Sequence, residues 1–185
     1  MTEILAISGS LRKASYNTGL MRAAGALDVP GVTITGMTLH GIPLYDADVE
    51  AGEGIPAPVT ALKDAMRRAD GMLLVTPEYN NGIPGAFKNA IDWASRPPAD
   101  SGEVFGGRPV AVLGASPGGF GTVLSQNHWL PVLRLLGMRP WFGGRLAVAR
   151  AGALFDEDGN LTDAPTLERL REFVSGFAEF VKTTA

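Results

Sequence analysis

Cysteine is missing from the 185-residue chain, which excludes disulfides, cysteine–zinc sites and thiol redox chemistry. Basic clusters are missing too, and with a formal net charge of -3 no nucleic-acid partner is expected. No apolar run approaches membrane-spanning length, so no membrane partner is expected either. Met1-Thr2-Glu3 leads straight into Ile4-Leu5-Ala6-Ile7 without a signal-peptide pattern, and a cytoplasmic protein is expected. Internal repeats and low-complexity tracts are absent. Four carboxylates, Asp46, Asp48, Glu50 and Glu53, lack any recognisable ligand spacing, so a solvated loop is read there and no metal. What remains is ordinary for a globular protein: 45% hydrophobic and 19% charged residues, enough for a single domain over 1–185 with one core.

The most informative stretch is Thr76–Arg96. Met72-Leu73-Leu74-Val75 before it is a short unbroken apolar run, as expected of a strand buried on both faces. Pro77, Asn80, Asn81, Gly82, Pro84 and Gly85 then break the pattern. From Pro84, which suits a first helical turn, Ala86, Phe87, Ala90, Ile91 and Trp93 recur at helical spacing. In the loop, Pro77 and Gly82 allow close approach to a flat ligand, Tyr79 offers a ring face, and the asparagines offer donors and acceptors. No nucleophile–base pair is present. Ligand contact is favoured over a plain turn, because such loops gather at the carboxyl ends of parallel strands.

Two further strand ends carry chemistry. Ile4–Ser8 reads as a first strand, followed by Gly9, Ser10, Arg12, Ser15, Tyr16 and Asn17 and then a helix striped by Leu20, Met21, Ala24 and Leu27, with Asn17 or Thr18 as its cap. Hydroxyls, an arginine and a helix N-terminus suit a phosphate. The loop has neither the Gly-x-Gly-x-x-Gly of dinucleotide folds nor the Gly-Lys-Ser/Thr of P-loops, which points to a terminal monophosphate. Pro109–Ala115 reads as a fourth strand opening into Ser116-Pro117-Gly118-Gly119-Phe120-Gly121, whose glycines let backbone approach a ligand.

The rest of the chain completes an alternating pattern. Val32–Thr38 is expected to be the second strand, His40–Pro58 a long surface excursion, and Val59–Ala69 an amphipathic helix. Arg96–Arg108 is long enough for a lid or an oligomer contact. A helix over about Thr122–Leu136 should bury Trp129, Leu130, Leu133 and Leu136 and break or kink near Asn127–Leu130, ahead of Pro131. A lone His128 beside it is more often packed or exposed than catalytic. Leu146–Ala149 is expected to be the fifth strand, and a last helix over Leu167–Val181 to start at Thr162 or Asp163. Five βα units imply a three-layer αβα fold, with a five-stranded parallel sheet in the flavodoxin-like order 2-1-3-4-5.

Taken together, Gly9-Ser10-x-Arg12-x-x-Ser15-x-Asn17, Pro77-Glu78-Tyr79-Asn80 through Lys88-Asn89-Ala90-Ile91-Asp92-Trp93, and Ala115-Ser116-Pro117-Gly118 resemble the NAD(P)H-dependent FMN reductases, a family that includes quinone, chromate and azo-dye reductases. The resemblance implies FMN as cofactor and NADPH or NADH as donor. It implies that Ser10, Arg12, Ser15 and Asn17 hold the FMN phosphate, that Pro77, Glu78, Tyr79 and Asn80 line the isoalloxazine, and that Ser116, Gly118 and Gly119 flank it. Tyr16, Gly82 and Pro117 complete the expected cofactor-binding set. The reaction implied is passage of electrons to a quinone, free flavin or similar small acceptor. No obligatory acid or base is nominated, and a structural role is favoured for Glu78.

Relatives that reduce chromate and quinones carry an Arg, a Tyr and a Glu in a tetramer-interface network, where Leu124, Asn127 and Trp141 stand here. A homodimer is therefore expected ahead of a homotetramer. Two other classes compete: a flavodoxin-type electron carrier, against which the mild charge of -3 speaks, and a flavin-binding regulatory module.

Overall fold

The computed structural model describes residues 1–184. Its first half contains β1 (Thr2–Ser8), α1 (Tyr16–Gly25), β2 (Val32–Thr38), α2 (Ala47–Glu53), α3 (Ala57–Arg68), β3 (Gly71–Val75) and α4 (Gly85–Ala94). The second half adds α5 (Ser101–Phe105), β4 (Pro109–Ala115), α6 (Val123–Leu135), β5 (Arg139–Pro140), β6 (Ala147–Val148) and α7 (Ala164–Thr184). Successive side chains of β1 show why the sheet is an inner layer. Ile4 and Ala6 join an apolar cluster with α1 and α7, whereas Leu5 and Ile7 join a second one with α3, α4, α5 and α6. A strand apolar at every position needs cover on both faces.

All neighbouring strands pair in parallel, in the order β2-β1-β3-β4-β5. The order is the expected one, but the fifth position is occupied twice. Arg139–Pro140 pairs with the start of β4, and Ala147–Val148 pairs with its end through Gly114 and Ala115. Only the second piece carries an apolar signal; the first is an Arg-Pro dipeptide, and proline is tolerated on an edge strand.

Several boundaries differ from expectation for physical reasons. Helix α1 is capped by Ser15, whose side chain accepts from Thr18 N–H, in place of Asn17 or Thr18. Pro84 stands at the N-cap of α4, one step before the helix proper. Helix α6 runs unbroken through Pro131. The carbonyl that the missing N–H would have met belongs to Asn127, an exposed residue, where an unmade backbone bond costs least. Trp129 and Leu133 are buried as expected, but Leu130 is exposed and Leu136 half-buried. Asp163 is the cap of α7: its carboxylate accepts from Thr166 N–H at 2.9 Å, and hydrogen bonds from the Thr166 side chain and backbone hold its pKa below the usual carboxylate value.

The two long connections are both more ordered than their composition suggests. His40–Pro58 contains α2 and is strapped to α4. Asn89 donates to the Pro43 carbonyl and accepts from Tyr45 N–H, both at 2.8 Å, while Trp93 Nε1 reaches the same carbonyl at 2.9 Å. Arg96–Arg108 is no lid. It forms a turn of 3-10 helix and then α5, which buries Val104 and Phe105, and Asp100 receives Lys63 at 2.7 Å and Arg67 at 3.0 Å.

Gly114 marks where β4 passes closest to its neighbours. A Cβ there would lie 2.0 Å from the Thr76 carbonyl oxygen and 2.6 Å from Thr122 Oγ1. Gly114→Ala is expected to destabilise the fold by about 3 kcal/mol, at the upper end of overpacking costs, read as a lower urea midpoint at unchanged m-value.

Candidate functional site

The carboxyl ends of β1, β3 and β4 open onto one cleft of about 330 Å³, lined by Ser10, Arg12, Ser15, Tyr16, Asn17, Pro77, Glu78, Tyr79, Ala115, Ser116 and Pro117. Ten of the residues singled out in the sequence are therefore brought together. Asn80, Gly82, Gly118 and Gly119 lie outside this lining. Ala115 was missed as a wall, because a small apolar residue ending a strand reads only as core.

Tight packing holds the first loop. Gly9 N–H donates to the Val75 carbonyl at 3.0 Å, and a Cβ on Gly9 would meet the Phe87 ring at 2.1 Å, so only glycine fits there. Ser10 and Ser15 are buried, and each hydroxyl oxygen accepts a backbone N–H, from Arg12 and from Thr18 respectively, both at 3.3 Å. Their own protons have no acceptor among the described residues and remain free to be donated. The Tyr16 and Asn17 N–H groups open α1 without an acceptor among the described residues, and no acidic residue occupies its first turn. The Arg12 guanidinium lies 4.8 Å from the centre of the Tyr16 ring. It has no carboxylate partner among the described residues. Free hydroxyl protons, free amides and one unpaired cation form a donor set matched to an anion.

The Asn17 side chain, unlike those of its serine neighbours, is engaged by β4. It is buried, its Nδ2 donates to the Ala115 carbonyl and its Oδ1 accepts from Ala115 N–H, both at 2.9 Å. The amide thereby braces the start of α1 against the end of β4. Thr76 was missed altogether. Its buried hydroxyl contacts the Pro77 carbonyl and Ser125 Oγ at 2.9 Å and receives Trp129 Nε1 at 3.1 Å. The one available signal was a hydroxyl residue directly after an unbroken apolar strand.

Beyond it, Tyr79 and Gly82 exchange backbone hydrogen bonds of 3.2 and 3.0 Å across Asn80 and Asn81, whose φ values of 50° and 64° make a two-residue turn of the type that asparagine tolerates. Tyr79, in the cleft lining, is left 54% exposed, and Phe120 on the β4–α6 loop is 84% exposed. Glu78 sends its carboxylate to α6, where Oε2 accepts from Leu124 and Ser125 N–H at 2.9 and 3.0 Å. His128 is exposed and does not line the cleft.

A donor cluster beside Pro77, Tyr79, Ala115 and Pro117 as flat or small walls, at the carboxyl ends of parallel strands, is the arrangement of a flavodoxin-like protein. Known proteins narrow this class. Residues 2–153 match the family described as NADPH-dependent FMN reductase. An NAD(P)H-dependent FMN reductase of Pseudomonas aeruginosa is 40% identical over 180 residues, covering 97% of this chain and 95% of that protein. A quinone reductase of Escherichia coli is 35% identical over 185 residues, with coverage of 97% and 95%. Among solved structures, the flavoenzyme NAD(P)H:(acceptor) oxidoreductase FerB from Paracoccus denitrificans superimposes with a TM-score of 0.85 at 32% identity, covering 99% of this chain and 98% of that one. An archaeal flavodoxin shares the fold, with a TM-score of 0.62 at 9% identity. The chain belongs to the NADPH-dependent FMN reductase family. It is an oxidoreductase that uses FMN and NAD(P)H.

Replacing Asn17 by Ala would strand the buried N–H and C=O of Ala115 together. Asn17→Ala is expected to cost about 3 kcal/mol of folding stability, measured by urea unfolding of the protein without added flavin.

Proposed function

We propose that the cleft holds FMN and that the enzyme passes electrons from NADPH or NADH to a quinone, a free flavin or a similar small acceptor. One observation carries this reading. The buried Ser10 and Ser15 hydroxyls keep undonated protons beside the free N–H groups of α1 and the unpaired Arg12. An FMN phosphate satisfies all of these at once. FMN held there would supply the hydride-accepting and electron-donating chemistry. Ser10, Ser15 and Arg12 bind the phosphate. The backbone at Pro77, Glu78 and Tyr79 orients the ring edge, and Ala115, Ser116 and Pro117 flank it. Tyr16 supports Arg12 from beneath, and Asn17 fixes the spacing between two of the loops. Asn80 and Gly82 shape the turn that presents Tyr79, while Gly118 and Gly119 border the open side.

Support for a quinone or flavin acceptor comes from the activities for which the Pseudomonas and Escherichia relatives are named. We assign the enzyme to the cytoplasm, where reduced nicotinamides are supplied; no helix among the described residues is long and apolar enough to cross a membrane. A homodimer is the assembly we favour, and exposed Leu11, Tyr79 and Phe120 beside the cleft are the apolar surface that it would cover.

The test is an anaerobic visible spectrum of the protein with FMN. A bound-flavin spectrum that bleaches promptly on NADPH or NADH addition and recovers with a benzoquinone is expected. Binding without bleaching would instead indicate an electron carrier or regulatory module. Arg12→Ala is expected to raise the FMN dissociation constant about tenfold and leave that of riboflavin, which lacks the phosphate, unchanged by titration.

A further inference from the structure

Glu78 lines the cleft, yet its carboxylate is engaged by another element. Its two acceptor contacts, to Leu124 and Ser125 N–H, fall in the first turn of α6. That helix has no cap of its own, since the N-cap residue Thr122 makes no side-chain capping bond. The Thr122 hydroxyl accepts from Gln126 Nε2 at 3.0 Å instead. The cap is supplied from the preceding βα loop, and a carboxylate in that position gains from both the hydrogen bonds and the helix dipole. Two residues upstream, Thr76 is tied to Ser125 and Trp129 of the same helix. Downstream, Tyr79 and Gly82 close their own turn. The backbone of residues 77–79 is thus suspended between a latch on α6 and a self-closed turn.

We infer that Glu78 is a positioning residue for the flavin. Its carboxylate holds the 77–79 backbone at the ring edge by gripping α6, and it is not the acid that protonates the acceptor. This rests on the reading of the cleft as the FMN site. A capping acceptor needs an oxygen at a fixed reach and no titratable proton, whereas a proton donor needs the carboxyl and tolerates a small change in reach. Gln keeps the oxygen at the same distance; Asp keeps the carboxyl and draws it back by one methylene.

The experiment compares Glu78→Gln, Glu78→Asp and Glu78→Ala in the full chain with FMN. Three quantities are read: the FMN dissociation constant by titration, the rate of flavin reduction by NADPH at saturating FMN, and the rate of reoxidation by a benzoquinone. Glu78→Ala is expected to weaken FMN binding about tenfold and to slow flavin reduction, as loss of two charge-assisted bonds predicts. Glu78→Gln is expected to recover most of both, and to outperform Glu78→Asp on both. If Glu78→Ala does not fold, the order of Gln and Asp carries the test alone. A merely structural cap would lower the melting temperature of Glu78→Ala and leave FMN affinity and reduction rate at wild-type values, which would overturn the inference. So would a Gln variant that reoxidises as slowly as Ala while Asp stays active. Failure of the wild-type protein to bind FMN would overturn the site reading itself and is measured first.

Discussion

A parallel sheet whose inner strands are apolar on both faces leaves its edge strands and its two ends in contact with water. Ile4 with Ala6 and Leu5 with Ile7 commit β1 to helices above and below, and β3, buried at each of its five residues, repeats the demand. Every crossover must then begin at the same edge, where the strand ladder ends and backbone amides become available. The cleft follows from that geometry. Its hydroxyls, ring and prolines come from three separate loops because three neighbouring strands finish side by side, β1 next to β3 and β3 next to β4.

Loops brought together in this way are not thereby held together. Polar bonds beneath the cleft do that work: Asn17 to the Ala115 backbone, Gly9 to Val75, Thr76 to Ser125 and Trp129, and Glu78 to α6. Each pairs groups from different βα units. Desolvated on one side by the core, such bonds are costly to break and leave few alternative arrangements. The cleft-lining groups are accordingly arranged before any ligand arrives, which lowers the ordering cost of binding. Motif residues outside the cleft lining fit the same scheme: Asn89 and Trp93 hold the Pro43–Tyr45 strap against α4.

Much of this was legible in the sequence where one residue type answers one local need. The apolar run Met72–Val75 could only be an inner strand, and the hydroxyl-rich start of α1 stood out after it had been placed behind β1. What stayed hidden depends on partners remote in the chain. The cap of α6 lies 46 residues earlier, and the hydroxyl of Thr76 meets a serine 49 residues later. Arg139–Pro140 forms a rung only because β4 offers one, since nothing in an Arg-Pro pair favours a strand. The order within Arg96–Arg108 is likewise tertiary: Val104 and Phe105 look isolated among prolines and glycines until α3 is beside them. Pro131 misled in the opposite sense, since α6 continues through it without the expected break.

The interrupted fifth position bears on how the molecule behaves among its own kind. A long flat edge strand is a template on which another chain can add itself, and crowded solutions punish it. Here the outer partner of β4 is two dipeptides, extended only by the Trp141 N–H and the Leu146 carbonyl that also bond to β4, so an incoming strand meets two short paired segments separated by residues 142–145. No register extends the ladder by more than one short segment. The break on this side of the sheet is therefore a guard against runaway growth, built from the same stretch that lets the chain turn towards its last helix.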